Sequence, residues 1–348
     1  MKIFVTGGAG FIGSNFILTQ IIDYHNSILN YDKLTYAANL DNLNKCSSNP
    51  LYSFNNGDIC NQKELSESIN KFKPDSIVNF AAESHVDRSI DGPKEFIDTN
   101  IVGTYNLLDE SLKYWKSLKG KKEFKFLHIS TDEVYGSLGE KGYFTELTSY
   151  NPSSPYSASK ASSDHLVKAW YHTYDLPIQI TNCSNNYGPY QFPEKLIPLI
   201  IINCLKNNPL PIYGDGSNIR DWLYVSDHCD AIYKVLKDGK IGETYNVGGN
   251  EEKTNLEIVN LICSILDKKV PLKNNSSYKK LITFVKDRAG HDFRYAIDAT
   301  KINKNLGWNP KFSFEKGINN TIDWYLENES WWDKILNKKY NLERLGSY

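Results

Sequence analysis

Lys2-Ile3-Phe4-Val5-Thr6-Gly7-Gly8-Ala9-Gly10-Phe11-Ile12-Gly13 decides the fold. The apolar run from Lys2 to Thr6 reads as a buried strand, the glycines as a tight turn, and Ser14 to Tyr24 as the helix that follows. Gly7, Gly10 and Gly13 permit a sharp turn, close approach of backbone to a pyrophosphate, and close packing of helix on strand. Such triplets are common, and alone they say little. A second strand, Ser27 to Tyr31, ends at Asp32, nineteen residues beyond Gly13, where an acidic residue bonds adenosine ribose hydroxyls. Strand, turn, helix and acid together point to a bound dinucleotide. Asp32 repels a 2′-phosphate and so favours NAD over NADP, while the adjacent Lys33 softens that preference.

The alternation continues along the chain. Tyr52 to Asn55 reads as a strand leading to Gly57-Asp58, and Ser76 to Phe80 as one leading into Ala81-Ala82-Glu83-Ser84-His85. Apolar residues at Phe96, Ile97, Ile101, Tyr105 and Leu108 predict one long helix from about Pro93 to Leu118. A fifth strand, Lys125 to Ile129, a helix from Tyr156 to about Tyr174 and a strand from Ile178 to Asn182 follow. This rhythm implies right-handed crossovers and an α/β fold with a Rossmann-type doubly wound parallel sheet, whose ligands lie outside the carboxyl ends of the strands. After Cys183 the rhythm breaks, with prolines at 189, 193, 198, 209 and 211. That segment reads as a smaller, mixed α/β C-terminal substrate-binding lobe. Gly242 to Val247 reads as a strand rejoining the sheet, so the domains interleave. Residues 1–183 and 224–249 are expected to bind the dinucleotide, and 184–223 and 250–348 the substrate.

With 348 residues, 40% hydrophobic and a formal charge of −1, the chain can bury a sizeable core but has no electrostatic footprint for nucleic acid or an anionic membrane. A small anionic ligand fits better. No run of eighteen apolar residues occurs, and the opening residues are too short an apolar run for a signal peptide, so a cytoplasmic protein is expected. The six cysteines form no CxxC pair and no Cys/His cluster at metal-ligand spacing, so reduced thiols and no metal site are expected.

Chemistry concentrates in two short segments. Ser130-Thr131-Asp132-Glu133 falls at the carboxyl end of the fifth strand, and Tyr156-Ser157-Ala158-Ser159-Lys160 opens the next helix. Tyr156 and Lys160 lie one turn apart on one face, so the ammonium can lower the phenol pKa and make Tyr156 a base toward an alcohol. The spacing is cheap, since Tyr233 and Lys237 repeat it in a segment with no strand-end acids associated with it. Placement after the fifth strand, with Ser130 and Thr131 available to a substrate hydroxyl, distinguishes the first pair. Asp132 and Glu133 are either a solvated turn or an acid and a base acting on the same substrate. His85 reads as a supporting residue. Arg220 and Arg288 are either surface ion pairs or planar donors for a diphosphate.

Longer phrases carry a resemblance. TGGAGFIGSN from Thr6, YDKLTYAANL from Tyr31, AAESHVDRSI from Ala81, TNIVGTYNLL from Thr99, HISTDEVYG from His128, SSPYSASKASSDHLV from Ser153, TNCSNNYGPYQFPEKLIPL from Thr181, PLPIYGDGSNIRDWLYV from Pro209 and DRAGHDFRYAID from Asp287 span almost the whole chain. The chain resembles the extended short-chain dehydrogenase/reductase family, in its nucleotide-sugar 4,6-dehydratase branch.

The resemblance implies Asp132 as acid for the departing C6 hydroxyl, Glu133 as base at C5, and Tyr156 as base at the C4 hydroxyl, helped by Lys160, with Thr131 holding the sugar. It implies NAD contacts at Phe11, Ile12, Asp32, Lys33, Leu34, Thr35, Asp58, Ile59, Ala81, Ala82, Ser84, Thr99, Tyr156, Lys160 and Asn186, beside the glycines. Substrate contacts are implied for Ser84, Thr131, Asn185, Lys195, Leu196, Pro211, Ile212, Tyr213, Arg220, Asn255, Arg288 and His291. The substrate implied is dTDP-glucose, converted to its 4-keto-6-deoxy derivative in deoxysugar, including rhamnose, biosynthesis. A UDP-hexose dehydratase, a 4-epimerase or decarboxylase, and a catalytically silent NAD-binding regulator are the alternatives. A homodimer through a four-helix contact of the helices near Pro93 and Tyr156 is implied too. Ala289 stands where the family has Pro, and no ligand contact carries over to the last eight residues, Tyr348 included.

Overall fold

The computed structural model of the chain describes residues 1–120, 122–273, 275–338, 340 and 342. Of the last eight residues, 341–348, where no ligand contact is expected, Leu342 is described and lies on a cavity wall, and 341 and 343–348 lie outside the described residues. The strands are β1 (Lys2–Thr6), β2 (Ser27–Asp32), β3 (Tyr52–Asn56), β4 (Ser76–Asn79), β5 (Lys125–Thr131), β6 (Ile178–Cys183), β7 (Asn185–Tyr187), β8 (Leu210–Tyr213), β9 (Ile219–Tyr224), β10 (Thr244–Val247), β11 (Glu252–Thr254) and β12 (Ile282–Val285). Seven of them form one sheet in the order β10-β6-β5-β4-β1-β2-β3, parallel at every pairing. Strand order reverses between β1 and β4, so a crevice opens at their carboxyl ends. Thr6 and Asn79, the last residues of these two strands, are joined there by a 2.6 Å hydrogen bond from Thr6 Oγ1 to Asn79 Oδ1.

Successive side chains on β1 supply both faces of the sheet. Ile3 and Val5 pack with Phe16, Ile17 and Ile21 of α1 (Phe11–Ile22), and with Ala231, Ile232 and Val235 of a helix running from Val225 to Asp238. Phe4 faces the other way. It packs with Leu65 and Ile69 of α2 (Gln62–Phe72), and with the helical layer that follows β4. That layer comprises α3 (Val86–Asp91), α4 (Pro93–Phe96), α5 (Thr104–Ser117) and α6 (Pro155–Tyr174).

The long helix expected from Pro93 to Leu118 is interrupted. Residues Ile97–Gly103 form a wide π-helical turn between α4 and α5. Asn100 within it accepts from Glu83 N at 2.9 Å and donates to Glu83 O at 3.0 Å and Ser159 Oγ at 2.8 Å. Gly103 lies so close to Ile59 that a Cβ would come within 2.6 Å of its side chain. The wide turn therefore ties the end of β4 to α6 and brings Thr99 to the wall of the crevice.

The remaining helices are α7 (Leu196–Lys206), α8 (Val225–Asp238), α9 (Asn255–Lys269), α10 (Thr300–Leu306), α11 (Phe314–Glu327) and α12 (Glu329–Lys338). A second core forms where Ile197, Ile200 and Ile201 of α7 meet Ile258 and Ile262 of α9, Ile318 and Ile322 of α11, and Trp331 and Trp332 of α12. It packs over β8 and β9. Residues Ala299, Ile302, Leu306 and Trp308 join the first core instead, beside α8 and β10. Their hydrophobic side chains alone do not reveal which of two apolar surfaces they cover, and the expected boundary put them in the second lobe. Among the described residues no helix is long and apolar enough to cross a membrane.

Candidate active site

The crevice at the strand-order reversal holds a cavity of about 310 Å³. Gly7, with φ +68°, turns so tightly that a Cβ would sit 2.6 Å from Ala81 N, and a Cβ on Gly13 would sit 2.4 Å from Gly7 O. At Gly10, by contrast, the nearest atom to a Cβ is Gly7 O at 3.4 Å, so that glycine leaves its space to a ligand. The three glycines thus divide their work as the spacing predicts.

Asp32 closes β2 beside this turn. Its carboxylate accepts from Ala9 N and from Leu34 N, each at 2.8 Å, which fixes the turn. Lys33 Nζ pairs with Asp58 Oδ2 at 2.8 Å. Asp32 and Asp58 thus set two carboxylates against one lysine at the adenosine end, a balance that suits NAD better than the extra phosphate of NADP. Phe11, Ile12, Thr35, Ile59, Ala82 and Ser84 line the cavity as well, together with Asn186, Tyr156 and Lys160. Leu34 is different. With φ +57° it contributes its N–H to Asp32 and is not on the cavity wall. Hydroxyl and amide oxygens at Ser184 and Asn185 on the same wall are buried without a partner among the described residues. Glycine turn, ribose-directed acid and orphaned wall groups suit NAD.

β5 delivers the catalytic candidates. Thr131 ends the strand and caps a short turn over Asp132–Tyr135 by accepting from Glu133 N at 3.3 Å. Asp132 is 1% exposed, and its Oδ2 has no partner among the described residues. Burial first, and then the neighbouring Glu133 and Asp221, hold its carboxyl well above the usual range. Glu133 is also raised by burial, but Arg220, Lys195 and Arg288 pull against that rise. Adjacent carboxyls thus stand in unequal surroundings, one in a site that favours the proton and one facing three cations.

α6 starts at a capping box in which Ser154 Oγ accepts from Ser157 N at 3.0 Å, with Pro155 in the first turn. This fixes Tyr156 and Lys160 against β5. Any lowering of the Tyr156 pKa by Lys160 is outweighed by burial. Burial first, then Glu133, push the phenol well above its ordinary value, and Lys160 Nζ instead donates to Ile129 O at 2.8 Å. Ser130, expected near a substrate hydroxyl, donates to Asp164 Oδ2 at 2.9 Å, while Thr131 faces the cavity.

A second cavity, of about 280 Å³, adjoins the first. Asn185, Lys195, Leu196, Pro211, Ile212, Tyr213, Arg220, Asn255, Arg288 and His291 line it, all of them named from the sequence. The two arginines are built in rather than displayed. Arg220 donates to the carbonyls of Ile219, Phe293 and Asp292 at 2.7, 3.3 and 2.9 Å, with its guanidinium over the Tyr295 ring. Arg288 makes a two-point pair with Asp87, at 2.5 and 3.0 Å. His291 Nδ1 lies 2.7 Å from Asp287 Oδ1, and Lys195 Nζ donates to Ser84 O at 2.9 Å. Both cavities share Glu133, Asn185, Asn186, Gln191, Glu194 and Lys195, so Glu133 stands where they meet, with Asp132 beside it on the wall of the first.

Sequence reasoning missed Glu194, Gln191 and Tyr36, and gave His85 only a supporting place. His85 is buried on the wall of the second cavity, its pKa pushed down by burial and by Lys195, Arg288 and Arg88. Its position just beyond the end of β4 was the available signal. Glu194 and Tyr36 had none, because each matters only through the other across 158 residues. Among the described residues no cluster of His, Cys, Asp and Glu could hold a metal, and the six cysteines are unpaired.

Residues 4–321 match the sequence profile of the family described as GDP-mannose 4,6 dehydratase. The chain is 55% identical over 351 residues to a dTDP-glucose 4,6-dehydratase of Neisseria meningitidis serogroup B, covering 99% of each. Among solved structures it is similar to a dTDP-glucose 4,6-dehydratase from Bacillus anthracis in complex with NAD, with 48% identity, TM-score 0.85, and 96% and 99% of the two chains covered. It is also similar to one from Streptomyces venezuelae with NAD bound, with 42% identity, TM-score 0.89, and 96% and 100% covered.

Proposed function

The chain belongs to the GDP-mannose 4,6 dehydratase family, and from that premise we propose that it is an NAD-dependent dTDP-glucose 4,6-dehydratase. It is a hydro-lyase that yields dTDP-4-keto-6-deoxy-glucose and water. The observation that carries the reading is the unequal pair Asp132 and Glu133 at the end of β5, on the same cavity wall as Tyr156. A simple alcohol dehydrogenase needs Tyr156 and Lys160 but neither carboxyl.

When bound, NAD supplies the positive charge and the reversible hydride acceptance that the reaction needs. Tyr156 takes the proton of the C4 hydroxyl as C4 is oxidised. The resulting ketone acidifies the C5 hydrogen, which Glu133 removes in its ionised form, held ready by Arg220, Lys195 and Arg288. Asp132, kept protonated by burial, donates to the C6 hydroxyl, which leaves as water. C6 then takes back the hydride that C4 gave up, as Glu133 returns its proton to C5. Tyr156 ends with one proton more and Asp132 with one fewer, so the set resets by one transfer.

The same reading places NAD on residues 1–183 and 224–249 and the sugar nucleotide largely on 184–223 and 250–348. It also includes a homodimer. Ile97, Val102, Tyr105 and Tyr174 are large apolar side chains between 42 and 51% exposed along the α4, α5 and α6 layer, which supports a second copy there. A monomer at micromolar concentration would contradict the dimer. Incubating the protein with dTDP-glucose and detecting the 4-keto product by its alkaline absorbance tests the activity; an epimerised or unchanged sugar would sink it.

A further inference from the structure

Behind the catalytic wall runs a buried polar chain that the steps above do not use. It starts at Ala81, on the wall of the first cavity, whose N–H donates to Thr6 Oγ1 at 3.3 Å. Thr6 in turn donates to Asn79 Oδ1 at 2.6 Å, which turns the Asn79 amide nitrogen toward His128 Nδ1, 3.1 Å away. Each bond fixes the direction of the next. A His128 Nδ1 that accepts leaves the ring proton on Nε2, which lies 3.3 Å from Asp164 Oδ1 and 3.2 Å from Ser163 Oγ.

Asp164 closes the chain. Its Oδ2 accepts from Ser130 Oγ and Tyr150 OH, both at 2.9 Å, and from Asn182 Nδ2 at 3.3 Å. A fully buried carboxyl surrounded by donors is held as an anion. Burial works against the charge, yet the hydrogen bond from neutral His128, the charge of Lys160 and the bond from Ser130 bring its pKa below the usual carboxylate range. Lys160 stands one helical turn earlier on α6, its Nζ 3.5 Å from His128 Nε2. Burial lowers the lysine pKa, and Asp164 is the first group that opposes the fall.

The titratable groups around Lys160 and Tyr156 come from several elements. Asp164 shares their helix, His128 comes from β5, Cys183 from β6, Asp132 and Glu133 act on Tyr156 from the turn after β5, and Tyr150, from the segment before α6, bonds Asp164. His128 is neutral, its pKa lowered to about 4 by burial and by Lys160. Cys183 is a thiol, pushed up by burial. Asp132 and Glu133 belong to the elimination, which leaves Asp164 to balance the ammonium.

We propose that Asp164 is a positioning residue for the reaction, the counter-charge that keeps buried Lys160 protonated beside Tyr156, with His128 locked between them as a neutral spacer. Without that anion, Lys160 loses its proton at lower pH, and the Tyr156 phenolate loses the cation one turn away. The proposal rests on the dehydratase reading. Wild-type protein that makes no 4-keto product sinks that reading, whereas an active wild type with an unshifted variant sinks only this one.

The test is the pH profile of kcat/KM for Asp164→Asn, alongside its melting temperature and its NAD content after gel filtration. With fold and NAD content retained, the acid limb should move up by about one pH unit or more and kcat should fall at neutral pH. A folded Asp164→Asn with the wild-type profile overturns the proposal. Should that variant fail to fold, Tyr150→Phe, which removes one donor to Asp164, decides. A smaller shift of the acid limb in the same direction supports the assignment, and an unshifted limb overturns it.

Discussion

Tyr36 donates to Glu194 Oε1 at 3.0 Å, joining the loop after β2 to the turn before α7, and its neighbours Thr35 and Ala37 lie with Glu194 on the wall of the first cavity. Arg88 secures the contact, with its Nε 3.0 Å from Glu194 Oε2 and its guanidinium 3.8 Å from the centre of the Tyr36 ring. Loosening this contact should loosen that wall around NAD. Tyr36→Phe leaves Glu194 one donor short in a buried site, a loss of about 1 to 3 kcal/mol. The expected outcome is NAD dissociation faster by roughly 5- to 100-fold, read as cofactor content after dialysis.

Asp132→Asn and Glu133→Gln should retain NAD and the sugar nucleotide, because neither carboxyl holds the glycine turn or Arg288. Each should slow formation of the 4-keto-6-deoxy product by roughly 10²- to 10⁴-fold. Solvent deuterium separates them. Glu133→Gln should stop deuterium entering C5, which mass spectrometry of the sugar reads directly. Wild-type turnover in both variants would remove the two assignments.

The Asp132 carboxyl has a second consequence, on stability. Its folded pKa is raised above the unfolded value, so the native state binds the extra proton, and that contribution is lost as pH rises through the folded pKa. Activity should fall over the same alkaline range, since the acid is then ionised. Asp132→Asn cannot ionise and should melt higher than wild type at alkaline pH, by about 1 to 3 °C. The difference should vanish toward pH 4, near the unfolded pKa. Melting curves across pH check the sign.

The base should lie against the apolar wall of Leu196, Leu199, Pro211 and Ile212 in the second cavity. Thymine exceeds uracil by one methyl, and an apolar wall discriminates a methyl by about 1 to 3 kcal/mol. dTDP-glucose should therefore be favoured over UDP-glucose by roughly 10- to 200-fold in kcat/KM, measured with both sugars side by side.

Local residues announced most of what is local. The run from Lys2 to Gly13 declared strand, turn and helix because apolar pattern and glycine spacing act over a dozen neighbouring residues. Asp132, Glu133, Tyr156 and Lys160 were found because they cluster at one strand end and one helix start. The wide turn at Ile97–Gly103 was hidden, since its apolar spacing fits an ordinary helix and its cause is Asn100 gripping Glu83 from outside. Phenol and ammonium were read as partners from spacing. What spacing could not show was that Lys160 turns to the Ile129 carbonyl and that burial dominates Tyr156. The long-range contacts Tyr36 with Glu194 and His128 with Asp164 exist only once the chain has folded.

The six residues common to both cavity walls make the two ligands thermodynamically dependent on each other. By linkage each ligand changes the affinity of the other by the same factor, and if the first to bind orders part of the other's surface that factor is favourable. A cofactor that finishes every cycle unchanged is thus gripped hardest while sugar is present, and escapes most readily from an idle enzyme.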